Sequence, residues 1–142
     1  MRRVESSLVI PVPAERVFAF IEDVRNLPRW QEGVELAERT SDGPVRVGST
    51  ARIRRQLLGQ PLTVDLRVVE HEAPTHLGLE TSAQGLRVLA TLDLLPSPSG
   101  TKVTFGMALE GRGFASFVEP MVARAAEKEL PDSLKRLRAA LA

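Results

Sequence analysis

The sequence predicts an α+β domain in which a curved antiparallel sheet closes around a long C-terminal helix. Three observations predict it. Residues 4–30 read as an alternating strand that runs into Pro11-Val12-Pro13, then a short helix, then a second helical turn. From Val34 to Gly111, apolar and polar residues alternate in short runs divided by turn signals, the pattern of successive antiparallel strands. From Phe114 to Leu141, apolar residues recur at helical spacing over a stretch far longer than the first helix. A chain of 142 residues fits one domain, 1–142, and buries roughly two thirds of its unfolded surface, so it needs no disulfide or metal for stability.

The elements follow in order. Pro13 suits a first helical position, and Val17, Phe20, Ile21 and Val24 continue at helical spacing. Asn26-Leu27-Pro28-Arg29-Trp30 forms the second helical turn, Gly33 releases the chain into strand two, Val34 to Thr40, and Asp42-Gly43-Pro44 is a turn. Residues opposite each other in an antiparallel pair share a face, so parity tests each hairpin. With Gly59-Gln60 as a two-residue loop, Leu57 opposes Leu62, Arg55 opposes Val64, Ile53 opposes Leu66 and Ala51 opposes Val68. Gln56, Thr63, Arg54, Asp65, Arg52 and Arg67 then take the other face, with Arg54 opposite Asp65. With Gln84-Gly85 and Ser97-Pro98-Ser99-Gly100 as the next loops, Val88, Ala90 and Leu92 point inward in both pairings, facing Thr81, Leu79 and Leu77 on one side and Leu109, Met107 and Phe105 on the other. The long helix places Phe117, Met121 and Ala125 against the sheet or along the cavity, and Pro131 predicts a kink or restart within it.

Composition removes several function classes. There is no cysteine, hence no disulfide framework and no thiolate chemistry. Nineteen basic against 18 acidic residues leave a net charge of +1, so no global field draws the chain to nucleic acid. With one tryptophan, five phenylalanines and no tyrosine it offers few stacking platforms. Met1-Arg2-Arg3-Val4-Glu5-Ser6 breaks to charge before any signal-like apolar run, and no segment approaches a membrane span, so a soluble, cytoplasmic protein is expected. No serine sits in a nucleophile elbow, and no cofactor motif is present.

The order strand, helix, helical turn, six strands and long helix resembles the helix-grip fold of the START-like (SRPBCC) superfamily, in its polyketide cyclase/dehydrase-like branch. The residues that carry the resemblance are Pro13-Ala14-Glu15-Arg16-Val17-Phe18, Asp23 through Trp30, Val47-Gly48-Ser49, Leu57-Leu58-Gly59, Gly100-Thr101-Lys102-Val103-Thr104 and Leu134-Lys135-Arg136-Leu137. The resemblance implies seven strands gripping the long helix, with an apolar cavity between them. Similar proteins bind lipids, sterols, hormones or polyketides, a minority are cyclases or aromatases, and no catalytic signature is shared.

Arg55 is the most informative candidate. Its guanidinium keeps its charge, so pointing inward it requires a carboxylate, carbonyls or an anionic ligand; the alternative is a bulge near Gly59 that turns it outward, or a place at the sheet rim. Thr81 is the other polar residue of the inward set, and with an inward Arg55 it would suit an apolar ligand bearing one carboxylate or hydroxyl. Met107 and Met121 suit an adaptable pocket lining or an ordinary core, Phe114 and Phe117 stand where the long helix begins, and Trp30 closes one end of the core or borders the cavity. His71 and His76, with Glu70 and Glu72 around a predicted turn, lack the spacing of a metal pair. Gly111-Arg112-Gly113-Phe114 lacks the third glycine and parallel strand of a dinucleotide loop and reads as a joint at the cavity mouth. Arg46, Arg52, Arg54, Arg55 and Arg67 form a basic cluster, either a solvated face or a dock for an anionic membrane or acidic partner. These residues favour a binding or carrier protein for one apolar small molecule. The second reading is a polyketide cyclase or aromatase, which gains if His71 or His76 reaches the cavity, and the third is an interaction module using the basic face. Oligomeric state is not legible in the sequence.

Overall fold

The computed structural model describes residues 1–142. The strands are β1 (Arg2–Ile10), β2 (Val34–Arg39), β3 (Thr50–Leu57), β4 (Gln60–Glu72), β5 (His76–Ala83), β6 (Leu86–Ser97) and β7 (Gly100–Gly111), and the helices are α1 (Ala14–Glu22), α2 (Leu27–Trp30) and α3 (Ala115–Leu141). All seven strands form one antiparallel sheet in the order β1-β7-β6-β5-β4-β3-β2. β1 and β2 are therefore opposite edges, and α1, a 3-10 turn at Val24–Asn26 and α2 carry the chain from one edge to the other. Pro13 occupies the N-cap of α1, one position before the expected site, and the Asp23 carboxylate accepts from the Arg25 backbone N–H to cap the 3-10 turn.

Parity predicts both faces of the sheet. The β5–β6 and β6–β7 pairings match residue for residue: Thr81 faces Val88, Leu77 faces Leu92, and Leu92 faces Phe105. The β3–β4 pairing differs from expectation by one step along each face. Its loop is Leu58-Gly59, because Leu58 accepts φ 51° and Gly59 φ 80°, which makes a turn whose two central residues both have positive φ. Leu57 then faces Gln60, Arg55 faces Leu62, and Asp65 faces Arg52 rather than Arg54. A slip of two leaves every side chain on its expected face. Gln56, Thr63, Arg54 and Asp65 are accordingly exposed, while Leu66, Leu79, Leu92 and Phe105 are buried. Bulges between Val34 and Leu36 and between Val68 and Glu70 interrupt the ladders and bend β2 and β4.

Helix α3 runs unbroken through Pro131. Its C-terminal half buries Leu130, Leu134, Leu137 and Leu141 in the main core, where they join Trp30, Phe105 and the inward residues of β3 to β7. The N-terminal half turns a different face inward from the one expected: Ala115, Glu119, Val122, Ala123 and Ala126 are buried, whereas Phe117 is 76% and Met121 55% exposed. The physical reason is space. A helix lying close over β1 and β7 fits alanine and valine at the contact and leaves the large side chains to the opposite stripe. Glu119 fastens this half: its buried carboxylate accepts the Gly111 N–H at 2.8 Å, with Arg2 at 3.7 Å. No helix is long and apolar enough to cross a membrane.

Candidate functional site

A cavity of about 530 Å³ lies under the N-terminal half of α3, between the tips of the β3–β4 and β5–β6 hairpins and the end of β7. Fifteen of its 21 lining residues are hydrophobic, which sets the chemistry of what it can hold. Leu62, Val88, Met107, Leu109, Val118 and Val122 make the apolar walls, and Leu57 and Leu62 are only half-buried because they face this space rather than packed atoms.

Arg55 points inward, as parity requires, and lines this cavity. It meets the carboxylate of Glu129 on α3: Nη2 donates to both oxygens, at 2.8 and 2.9 Å, with the two side chains only 15% and 14% exposed. Nε donates to the Gln56 carbonyl at 3.3 Å, and Nη1 has no protein partner. Gly33 makes room for the fork. It adopts φ +87°, and a β-carbon there would stand 3.1 Å from Nη2. The pair is charge-neutral and joins β3 to α3 at the cavity wall, so the inward arginine is satisfied without an anionic ligand. Thr81 also lines the cavity, half-buried, and its hydroxyl makes no side-chain hydrogen bond.

The other sequence candidates divide. Met107 lines the cavity wall, and Phe114 lines its mouth while remaining 80% exposed. Trp30 does not reach the cavity. It is fully buried in the main core, 5.5 Å from the Phe105 ring, because α2 packs on the C-terminal half of α3. Phe117 and Met121 do not line the cavity either; they lie on the outward stripe of α3. Glu129 is the residue that sequence reasoning missed. The one signal for it was negative: a charged residue at i−1 to a core leucine, Leu130, on the helix that had to cover Arg55.

Neither histidine lines the cavity. The bulge at Val69 turns His71 inward at the other end of the sheet, where Nε2 lies 2.8 Å from Glu22 and the ring meets Phe18 edge-on. His76 lies on the outer face between two carboxylates, Asp93 at Nδ1 and Glu70 at Nε2. Burial pushes the His76 imidazole down, but the hydrogen bonds to Glu70 and Asp93 outweigh it and raise its pKa above the ordinary value. Glu70 reaches His76 across Gly78, where a β-carbon would stand 2.5 Å from the Glu70 oxygen. An open hollow beside this cluster is mostly polar, and a dent of about 300 Å³ around Gly106 on the outer face is shallow. On the basic outer face, Arg52 pairs with Asp65, Arg54 with Glu35, and both Arg67 and Arg87 with Glu80, so this face neutralises itself.

The architecture is shared with solved structures. The chain superposes on the Zhui aromatase/cyclase from Streptomyces sp. R1128 with a TM-score of 0.83 at 14% identity, covering 99% of this chain and 93% of that one. It superposes on TTHA0849 from Thermus thermophilus with a TM-score of 0.80 at 19% identity, covering 99% and 97%, and on Ara h 8.0201 with a TM-score of 0.75 at 15% identity, covering 99% and 97%. At these identities the likeness shows the fold: a helix-grip sheet and helix. No curated protein matches the sequence. Residues 1–142 match the profile of the family described as polyketide cyclase / dehydrase and lipid transport, and the chain belongs to that family.

Proposed function

We propose that this protein binds and carries a single apolar, uncharged small molecule in the cavity beneath α3 and performs no chemistry on it. The observation that carries the reading is the wall composition: about 530 Å³ lined mostly by aliphatic side chains, with its two part-buried charges, Arg55 and Glu129, paired with each other. A ligand carboxylate would have to displace Glu129 or stand beside it, and either costs free energy between part-buried, mostly apolar walls. A neutral carbonyl or hydroxyl meets no such penalty. It finds a free donor in Arg55 Nη1 and a hydroxyl in Thr81.

A second reading, a polyketide cyclase or aromatase, is favoured by one observation: Glu129 puts a carboxylate in the cavity next to a guanidinium. There the arginine would stabilise an enolate and the carboxylate would move the proton. It ranks second because both histidines lie away from the cavity, which leaves all proton transfer to Glu129. Native mass spectrometry of the purified protein, alone and after incubation with a long-chain fatty-acid methyl ester or the parent acid, tests the carrier reading. The expected result is a one-to-one complex with the ester or with a co-purified neutral molecule, and a weaker one with the acid. Bare protein under every condition would remove the reading.

A further inference from the structure

We propose that the outward stripe of the first half of α3, together with the adjoining cavity mouth at Phe114 and the tip of the β3–β4 hairpin, docks on the surface of an anionic phospholipid bilayer. This goes beyond ligand carriage and is tested without any ligand. Phe114, Phe117 and Met121 stand at i, i+3 and i+7, on one stripe opposite the buried face of α3, and are 80%, 76% and 55% exposed. Leu58, 45% exposed, projects from the hairpin tip across the mouth, and both Leu58 and Phe114 line the cavity. Large side chains left in water along one helix stripe, beginning at the cavity mouth with Phe114, mark a contact surface.

Charge selects the occupant. The same stripe continues into Arg124, Lys128 and Lys135, exposed cations with no ion-pair partner in the chain. Arg138 is also free, and the only acidic residues of α3 without a partner are Glu127 and Asp132, so four free cations face two free carboxylates. An apolar tip followed by a cationic stem is the pattern of a helix that seats its large side chains among acyl chains and its cations among anionic headgroups. The basic cluster of the outer sheet face is excluded as the dock because Arg52, Arg54, Arg67 and Arg87 are paired with Asp65, Glu35 and Glu80.

Flotation of the full chain with vesicles of phosphatidylcholine, with and without phosphatidylglycerol, tests the proposal. The expected result is binding that requires phosphatidylglycerol and weakens with salt. Phe114→Ser/Phe117→Ser should weaken it at least about tenfold, given the value of burying a phenylalanine. Arg124→Gln/Lys128→Gln should weaken it on the order of 30-fold at low salt, at about a fivefold loss per cation. These side chains are exposed, so unchanged circular dichroism is expected; should a double variant fail to fold, the single variants Phe117→Ser and Lys128→Gln serve instead. Equal binding to both vesicle types, no binding to either, or variants that bind like the unmodified protein would overturn the proposal. So would a dimer, seen by light scattering, that Phe117→Ser dissociates in the absence of vesicle binding.

Discussion

Arg55 and Glu129 set the polarity of an otherwise aliphatic cavity, and each is held in place by the other. Removing one strands the partner's charge in a part-buried site, so Arg55→Met and Glu129→Leu should each cost about 1.5 to 3 kcal/mol in chemical denaturation, the value of a hydrogen bond to a charged group. The double variant should cost less than the sum of the two. Additive losses would show that the pair is not coupled. Glu129→Gln frees the guanidinium and should shift ligand preference from the ester toward the acid. At the opposite end of the sheet, His76 gives a pH signature. Its pKa is raised in the folded state by Glu70 and Asp93, so its contribution is complete below the unfolded value of 6.5 and is lost as pH rises through the raised value. The melting-temperature difference between wild type and His76→Gln should therefore shrink from mildly acid to alkaline pH, and a growing difference would contradict the assignment. At this scale the sequence announced the direction of Arg55, because a period of two leaves no choice of face, but not its partner, which lies 74 positions away on a helix.

Helix α3 shows why an element can be legible in extent and illegible in orientation. Its apolar residues fall on two stripes, one with Phe114, Phe117 and Met121 and another with Ala115, Val122, Ala126 and Leu130. Size favours the first and the sheet accepts the second. Size is the worse guide here, because close approach of the helix to β1 and β7 admits only small side chains and leaves the large ones on the outward stripe. The consequence is measurable by thermal or chemical denaturation: Phe117→Ala should change stability by less than about 0.5 kcal/mol, as exposed substitutions do, whereas Leu134→Ala, fully buried, should cost about 2 to 5 kcal/mol. The reverse order would restore the face expected from side-chain size. The hairpins were more legible than the helix. Two turns fixed β6 from both sides, and the single loop misplaced, Leu58-Gly59, was misplaced by a step that parity does not register.

On the scale of the molecule, α3 performs two jobs divided along its length. Leu130, Leu134, Leu137 and Leu141 close the core over Trp30 and Phe105, and the half that precedes them roofs a cavity, clamped by Glu119 to the end of β7 and by Glu129 to β3. The fold and the apolar character of the interior followed from strand parity and helix length. The volume left unfilled did not, since it depends on how far the alanine-lined half of α3 stands from the hairpin tips. The proposed carrier function requires that this space take an apolar, uncharged ligand. Calorimetric titration of the long-chain methyl ester at several temperatures tests it most directly, because burial of apolar surface gives binding a negative heat-capacity change. One site per chain, a negative heat-capacity change, and tighter binding of the ester than of the free acid are expected. Absence of saturable binding, or an acid that binds tighter than its ester to the unmodified protein, would contradict it.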